Sequence, residues 1–79
     1  ENTFELEGGM RVEEANDTLK LEIPEGDYET IAGFLLRFLG HIPIEGESLS
    51  IYPLNLEIIE MRGVKIERVR VTHLTLGTE

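Results

Sequence analysis

The sequence predicts an α+β domain: a small antiparallel sheet with two helices, in the order β-α-α-β-β-β. Three observations lead there. Phe4-Glu5-Leu6-Glu7 alternates apolar and acidic residues, the period of a half-buried strand. Tyr28, Ile31, Ala32, Leu35 and Leu39 recur at helical spacing. The segments Leu54–Met61 and Val64–Leu74 pair apolar with apolar and acid with base when folded back on each other.

Taken in order, the first strand ends at Gly8-Gly9. Val12, Ala15 and Leu19 then define a helix of about two turns, too short to persist unless docked. Pro24 biases Ile23 to an extended conformation and makes 23–26 a connector. The second helix is the clearer one. Asp27 is its expected N-cap and Glu29 sits in its positive first turn. Phe34 and Phe38 widen its apolar stripe and Leu36 adds a further direction, so it is expected to be covered on most sides. Gly33 inside it points to close approach of another backbone. Gly40 and Pro43 end it. Ile44-Glu45-Gly46-Glu47 turns into a strand at Leu49–Tyr52, interrupted by Pro53.

In both of the last two strands the apolar phase slips by one. Leu54, Leu56 and Ile58 give way to Ile59 and Met61, and Val64 and Ile66 to Val69 and Val71. One register accommodates both slips: Met61 opposite Val64, Ile59 opposite Ile66, Leu56 opposite Val69 and Leu54 opposite Val71. It also sets Glu57 against Arg68 and Glu60 against Lys65. The turn then centres on Arg62-Gly63. A two-residue turn would put Arg62 at positive φ, so a longer loop is expected. In this register the ribbon changes its apolar face. Its tip residues Ile59, Met61, Val64 and Ile66 become a candidate interface, covered by the first helix or by a partner chain.

Composition narrows the chemistry. The 79 residues include 16 acidic and 7 basic side chains, for a net charge of −9. Such a chain is repelled by phosphate backbones and anionic lipid, which argues against nucleic-acid binding. No cysteine is present, so disulfides, thiolate chemistry and Cys-ligated metals are excluded. No apolar run approaches the roughly 20 residues of a membrane span, and no signal peptide is visible. The chain begins with Glu1, which reads as a single domain over 1–79 taken from a longer protein. Glu25, Asp27 and Glu29 cluster as oxygen ligands for a hard cation, but their spacing matches no EF-hand loop. His41 near Glu45 and Glu47 is a second candidate metal cluster, whereas His73 has no carboxylate at a telling interval. Ser48 and Ser50 lack a partnered base, and no glycine-rich phosphate loop exists. The sequence therefore offers no catalytic residue and no cofactor site; the expectation is a non-enzymatic domain.

The segment "IPEGDYETIAGFLLRFLGHIPIEGE", with "LEIIEMRGVKIERVRVT" after one more strand, resembles the transporter-associated domain of the CorC/HlyC family. The resemblance rests on Pro24, Tyr28, Thr30, Gly33, Gly40, Ile42, Pro43, Gly46 and Glu47, and in the hairpin on Ile59, Gly63, Ile66, Val69 and Val71. The opening "FELEGGMRVEEANDTLKLEIP" is similar to the family's first strand, glycine and short helix, although Ala15-Asn16-Asp17-Thr18 replaces a more leucine-rich run. The resemblance implies a cytoplasmic, C-terminal domain of a hemolysin-like membrane protein that also carries a transmembrane region and paired CBS domains. It implies a regulatory role in magnesium and cobalt efflux. Its partners would be the CBS and membrane domains of its own chain, with a homodimer left open. The fold is grouped with one half of certain FAD-binding domains, but no FAD-contacting motif is present here. The alternative function is divalent-cation sensing by the acidic surface.

Overall fold

The structure, a computed structural model, describes residues 2–74. The elements are β1 (Thr3–Glu7), α1 (Val12–Leu19), α2 (Ile31–Leu39), β2 (Ser48–Ile51), β3 (Leu54–Arg62) and β4 (Lys65–His73). The expected α+β architecture is present. The four strands form one antiparallel sheet in the order β1-β4-β3-β2.

The two sides of the sheet differ. Leu49, Leu56, Val71 and Phe4 stand in one row across it. Ile58, Val69 and Leu6 stand in the next. Of these, Leu56, Val71, Ile58, Val69 and Leu6 join Val12, Ala15, Leu21, Ile23, Ile31, Phe34 and Leu35 in a single apolar core, with Phe4 and Leu49 packed against it. The alternate rows are polar. Ser50, Asn55, Thr72 and Thr3 make one, and Ser48, Glu57, Arg70 and Glu5 the next. Arg70 pairs there with Glu5 at 3.0 Å and with Glu57 at 3.6 Å.

The hairpin register differs from the expected one by two residues. Leu56 opposes Val71 and Ile58 opposes Val69. Glu57 faces Arg70 and Glu60 faces Arg68, so acid still meets base. The turn is Gly63-Val64, closed by Arg62 opposite Lys65, and Gly63 at φ 62° supplies the positive φ that a primed turn demands. The phase slip has a different cause from a change of face. Ile59 is an extra residue in β3 and Glu67 an extra residue in β4, each a bulge. A bulge resets the alternation of side chains. Two offset bulges return Met61 and Ile66 to the core side as an opposed pair, and Ile66 is 1% exposed.

The bulge in β4 also joins the sheet to the helices. The Gly8 N–H donates to the Glu67 carbonyl at 2.9 Å, and the Gly8 carbonyl accepts from Ala32 N–H at 2.9 Å. A Cβ on Gly8 would lie 2.0 Å from the Ile66 carbonyl oxygen. The close backbone approach expected at Gly33 is therefore at Gly8. At Gly33 a Cβ would meet only Thr30 Oγ1 and Tyr28 Cβ, both at 3.3 Å.

The start of α2 is also displaced from expectation. Thr30, not Asp27, is the N-cap, its Oγ1 accepting from Gly33 N–H at 3.0 Å. Asp27 and Tyr28 precede the helix, where Tyr28 bridges back to Gly26. The carbonyls of Met10 and Gly8 take the N–H groups of Ile31 and Ala32. The first turn of α2 is thus satisfied by the β1–α1 loop and the Thr30 cap together. Nor is α2 covered on most sides: Leu36 and Phe38 are exposed.

Gly8→Ala is expected to cost about 3 kcal/mol or more, because the clash is with backbone that cannot rotate away. Gly9→Ala, with open space at the new Cβ, should stay within about 0.5 kcal/mol. Urea unfolding of the two variants checks the contrast. By the same measurement Thr30→Ala should lose about 1 kcal/mol, the usual cost of an N-cap. Asp27→Ala, which removes only an exposed ion pair with Arg37, should lose less than about half of that.

Candidate functional site

Three surface features carry the residues that the sequence marks out. The first is the loop between α2 and β2. Gly40 closes α2 in the left-handed conformation, with its N–H on the Leu36 carbonyl. Pro43 is buried, and Gly46 turns the chain at φ 94°. Glu47 clasps the loop: one carboxylate oxygen accepts from Ile44 N–H at 3.1 Å, the other meets His41 Nε2 at 2.5 Å. The Ile44 N–H, and then the His41 ring, hold the Glu47 carboxyl below its usual range. Glu45 points elsewhere, accepting the Met61 N–H at 2.9 Å beside the bulge. His41 and Glu47 are thus spent on each other and on the loop backbone, and Glu45 on the ribbon.

The second feature is the acidic segment before α2. A cleft of about 350 Å³ runs between α1 and this segment, with Arg11, Glu13, Asn16, Glu25, Tyr28 and Glu29 among its lining residues. The structure does not gather Glu25, Asp27 and Glu29 around one point. Asp27 pairs with Arg37 at 3.4 Å and Glu29 with Arg11 at 3.3 Å. Among the described residues no three His, Asp or Glu side chains are placed to hold a metal ion. The Tyr28 hydroxyl donates to the Pro24 carbonyl. Partial burial, with Asp27 beside it, pushes the Tyr28 phenol up. Its ring packs edge-on against Phe34 and Phe38, at 5.3 and 6.2 Å between centroids.

The third feature is the ribbon tip. Of the four interface candidates only Val64 is fully displayed, at 67% exposure. Ile59 is half-buried at its bulge, Met61 is partly buried against the core, and Ile66 lies within the core. They do not form one exposed patch. The exposed apolar surface is concentrated elsewhere, at Leu36, Phe38, Ile42 and Ile44. Tyr52 and Leu74 are exposed as well.

Sequence reasoning missed Gly8, Thr30, Asn16 and Glu45 as determinants. One of these, Thr30, left a signal, and so did the hairpin turn. Thr30 stands three residues before Gly33, the interval of an N-cap bond. Placing Gly63 first in the turn would have moved the hairpin to its observed register. The bonds of Asn16 and Glu45 are tertiary and leave no local pattern.

Sheet, helices and clasped loop define a small α+β domain of the transporter-associated kind. The chain belongs to the CorC_HlyC family, the transporter associated domain, which matches it over residues 1–75. It is 29% identical over 73 residues to the magnesium and cobalt efflux protein CorC of Buchnera aphidicola, covering 90% of this chain and 24% of that protein. It is 30% identical over 76 residues to the polyamine export protein of Salmonella typhimurium, covering 94% of this chain and 17% of that one. The chain thus spans under a quarter of the length of these relatives. Among solved structures, the CorC_HlyC domain of a Xylella fastidiosa hemolysin, in complex with Mg++ and Mn++, superposes with a TM-score of 0.80 at 27% identity. That match covers 92% of this chain and 89% of the other. Among the described residues no helix is long and apolar enough to cross a membrane.

The lowered Glu47 pKa has a pH consequence. A carboxyl held below its ordinary value stabilises the fold above the unfolded-state pKa, and that contribution is lost as pH falls through the folded-state value. The stability of the chain should therefore drop as the pH is lowered from the ordinary carboxylate range. Glu47→Gln should lower stability at neutral pH and flatten the acid limb. Urea midpoints measured from pH 7 down to pH 3 check both effects.

Proposed function

We propose that this chain is a non-catalytic regulatory and interaction domain of a membrane efflux protein. The observation that carries the reading is the family match over nearly the whole chain, with relatives named for magnesium and cobalt efflux and for polyamine export. In this reading the domain lies on the cytoplasmic side, near the C-terminus of a longer polypeptide, and acts on the CBS and membrane domains of that chain. A homodimer is a further arrangement consistent with it. The residues common to this chain and the family pattern support an architectural rather than catalytic use: Gly40 ends α2, Gly46 turns the loop and Glu47 clasps it. The proposed interaction surface is the ribbon tip, where Val64 alone of the four candidates is exposed, Ile59 and Met61 are partly buried and Ile66 lies in the core.

The test uses a full-length efflux protein carrying this domain. Val64→Glu should change the rate or the cation dependence of efflux while leaving the thermal midpoint of the isolated 79-residue chain unaltered. Unchanged efflux, both in that variant and after removal of the domain, defeats the regulatory reading.

A second reading is favoured by one observation, the Mg++ and Mn++ complex of the Xylella relative. In it the acidic surface senses divalent cations, with Glu25, Asp27 and Glu29 as the candidate ligands. Titrating Mg²⁺ into ¹⁵N-labelled chain at fixed ionic strength separates the two. Small, non-saturating shifts spread over the acidic surface are expected for an interaction module. Saturable shifts confined to residues 25–29 would establish the sensor instead.

A further inference from the structure

We infer that residues 12–26 form a latch that opens as a unit while the sheet and α2 stay folded. The latch consists of α1 and the strap that follows it. An eight-residue helix is far below the length that persists alone in water. The N-cap Arg11 makes no side-chain capping bond to it. Residues 20–25 of the strap belong to neither helix nor strand. Lys20 and Glu22 hold φ of 58° and 65°, the left-handed region that side chains other than glycine disfavour. Together they flank Leu21, which is fully buried.

Two kinds of contact hold the latch closed. Val12, Ala15, Leu21 and Ile23 turn inward to the core. Asn16 clasps the strap to α1: its amide nitrogen donates to the Ile23 carbonyl at 2.9 Å, and its amide oxygen accepts from the Ile23 N–H at 2.8 Å. At the two ends, Val12 N–H donates to the Glu29 carbonyl and the Tyr28 hydroxyl to the Pro24 carbonyl. The remaining framework does not run through the latch. The first two N–H groups of α2 bond to Met10 and Gly8, which precede it, and the strands pair only with one another. Burial of four side chains thus works against a marginal helix and a strained backbone. The outer side of the latch is acidic, with Glu13, Glu14, Asp17 and Glu22 exposed. Opening therefore replaces an acidic surface with the apolar one that Val12, Ala15, Leu21 and Ile23 had covered. This device is independent of what the domain regulates.

Native-state hydrogen exchange on the 79-residue chain tests it, read by NMR over a range of low urea concentrations. The amides of Ala15, Lys20 and Ile23 are all hydrogen-bonded. They should exchange through one shared opening, on the order of a hundredfold faster than the amides of β3 and β4. Leu49→Ala, in β2, should speed exchange in β3 and β4 roughly tenfold and leave the latch amides unchanged, because β2 stays folded when the latch opens. Should that variant not fold, Leu49→Val makes the same separation with a smaller change. Asn16→Ala should speed the latch amides about tenfold. Latch and sheet amides on a single urea dependence would overturn the inference. So would equal acceleration of both by the Leu49 substitution, or latch amides indifferent to Asn16→Ala.

Discussion

The structure depends on a backbone-to-backbone approach at Gly8. Its N–H reaches the carbonyl of the bulged Glu67 in β4, and its own carbonyl receives the N–H of Ala32 at the start of α2. One residue therefore ends β1, secures the irregular rung of the central strand and fixes where the long helix begins. With the Ile66 carbonyl oxygen 2.0 Å from where a Cβ would stand, only glycine fits. Helix and sheet are locked by hydrogen bonds at this point, and apolar packing of Leu6, Phe34, Val69 and their neighbours fills the space between them.

The bulges in the long hairpin serve the same core. Without them, strict alternation would carry Met61 and Ile66 to the polar side of the sheet. One extra residue on each strand restores both to the apolar side and preserves their pairing. The backbone N–H of Met61 beside this irregularity is taken by the Glu45 carboxylate. That bond ties the α2–β2 loop to the ribbon, and Glu47 closes the loop on itself. The geometry of the loop is thus accounted for by the backbone N–H groups that Glu45 and Glu47 satisfy.

Charge has a different role. Arg11, Arg37, Arg68 and Arg70 each pair with carboxylates through side chains that are about half exposed or more open, where ion pairs contribute little to stability. Their larger effect is to spread the charge of a chain at −9, leaving the exposed apolar residues of 36–44 as the part of the surface least explained by solubility.

What the sequence determined by itself was whatever its local patterns encode. The order of the six elements, the left-handed end of α2 at Gly40 and the opposition of acid and base in the hairpin all follow from nearest neighbours and periodicity. The family, too, was legible, because its glycines and prolines stand at fixed intervals. Tertiary structure decided the rest. Asp27 and Thr30 are both good caps in isolation, and Thr30 became the cap because the Met10 and Gly8 carbonyls fix where α2 starts. The phase slip in the last two strands is equally compatible with a twisted face and with two bulges, and contact with Gly8 accompanies the bulges. Glu25, Asp27 and Glu29 are neighbours in sequence, yet Asp27 pairs with Arg37 of α2 and Glu29 with Arg11 at the N-cap of α1, and the three are not gathered as one ligand set. Periodicity specifies which side of an element faces inward; only the packed chain specifies which distant backbone group it meets there.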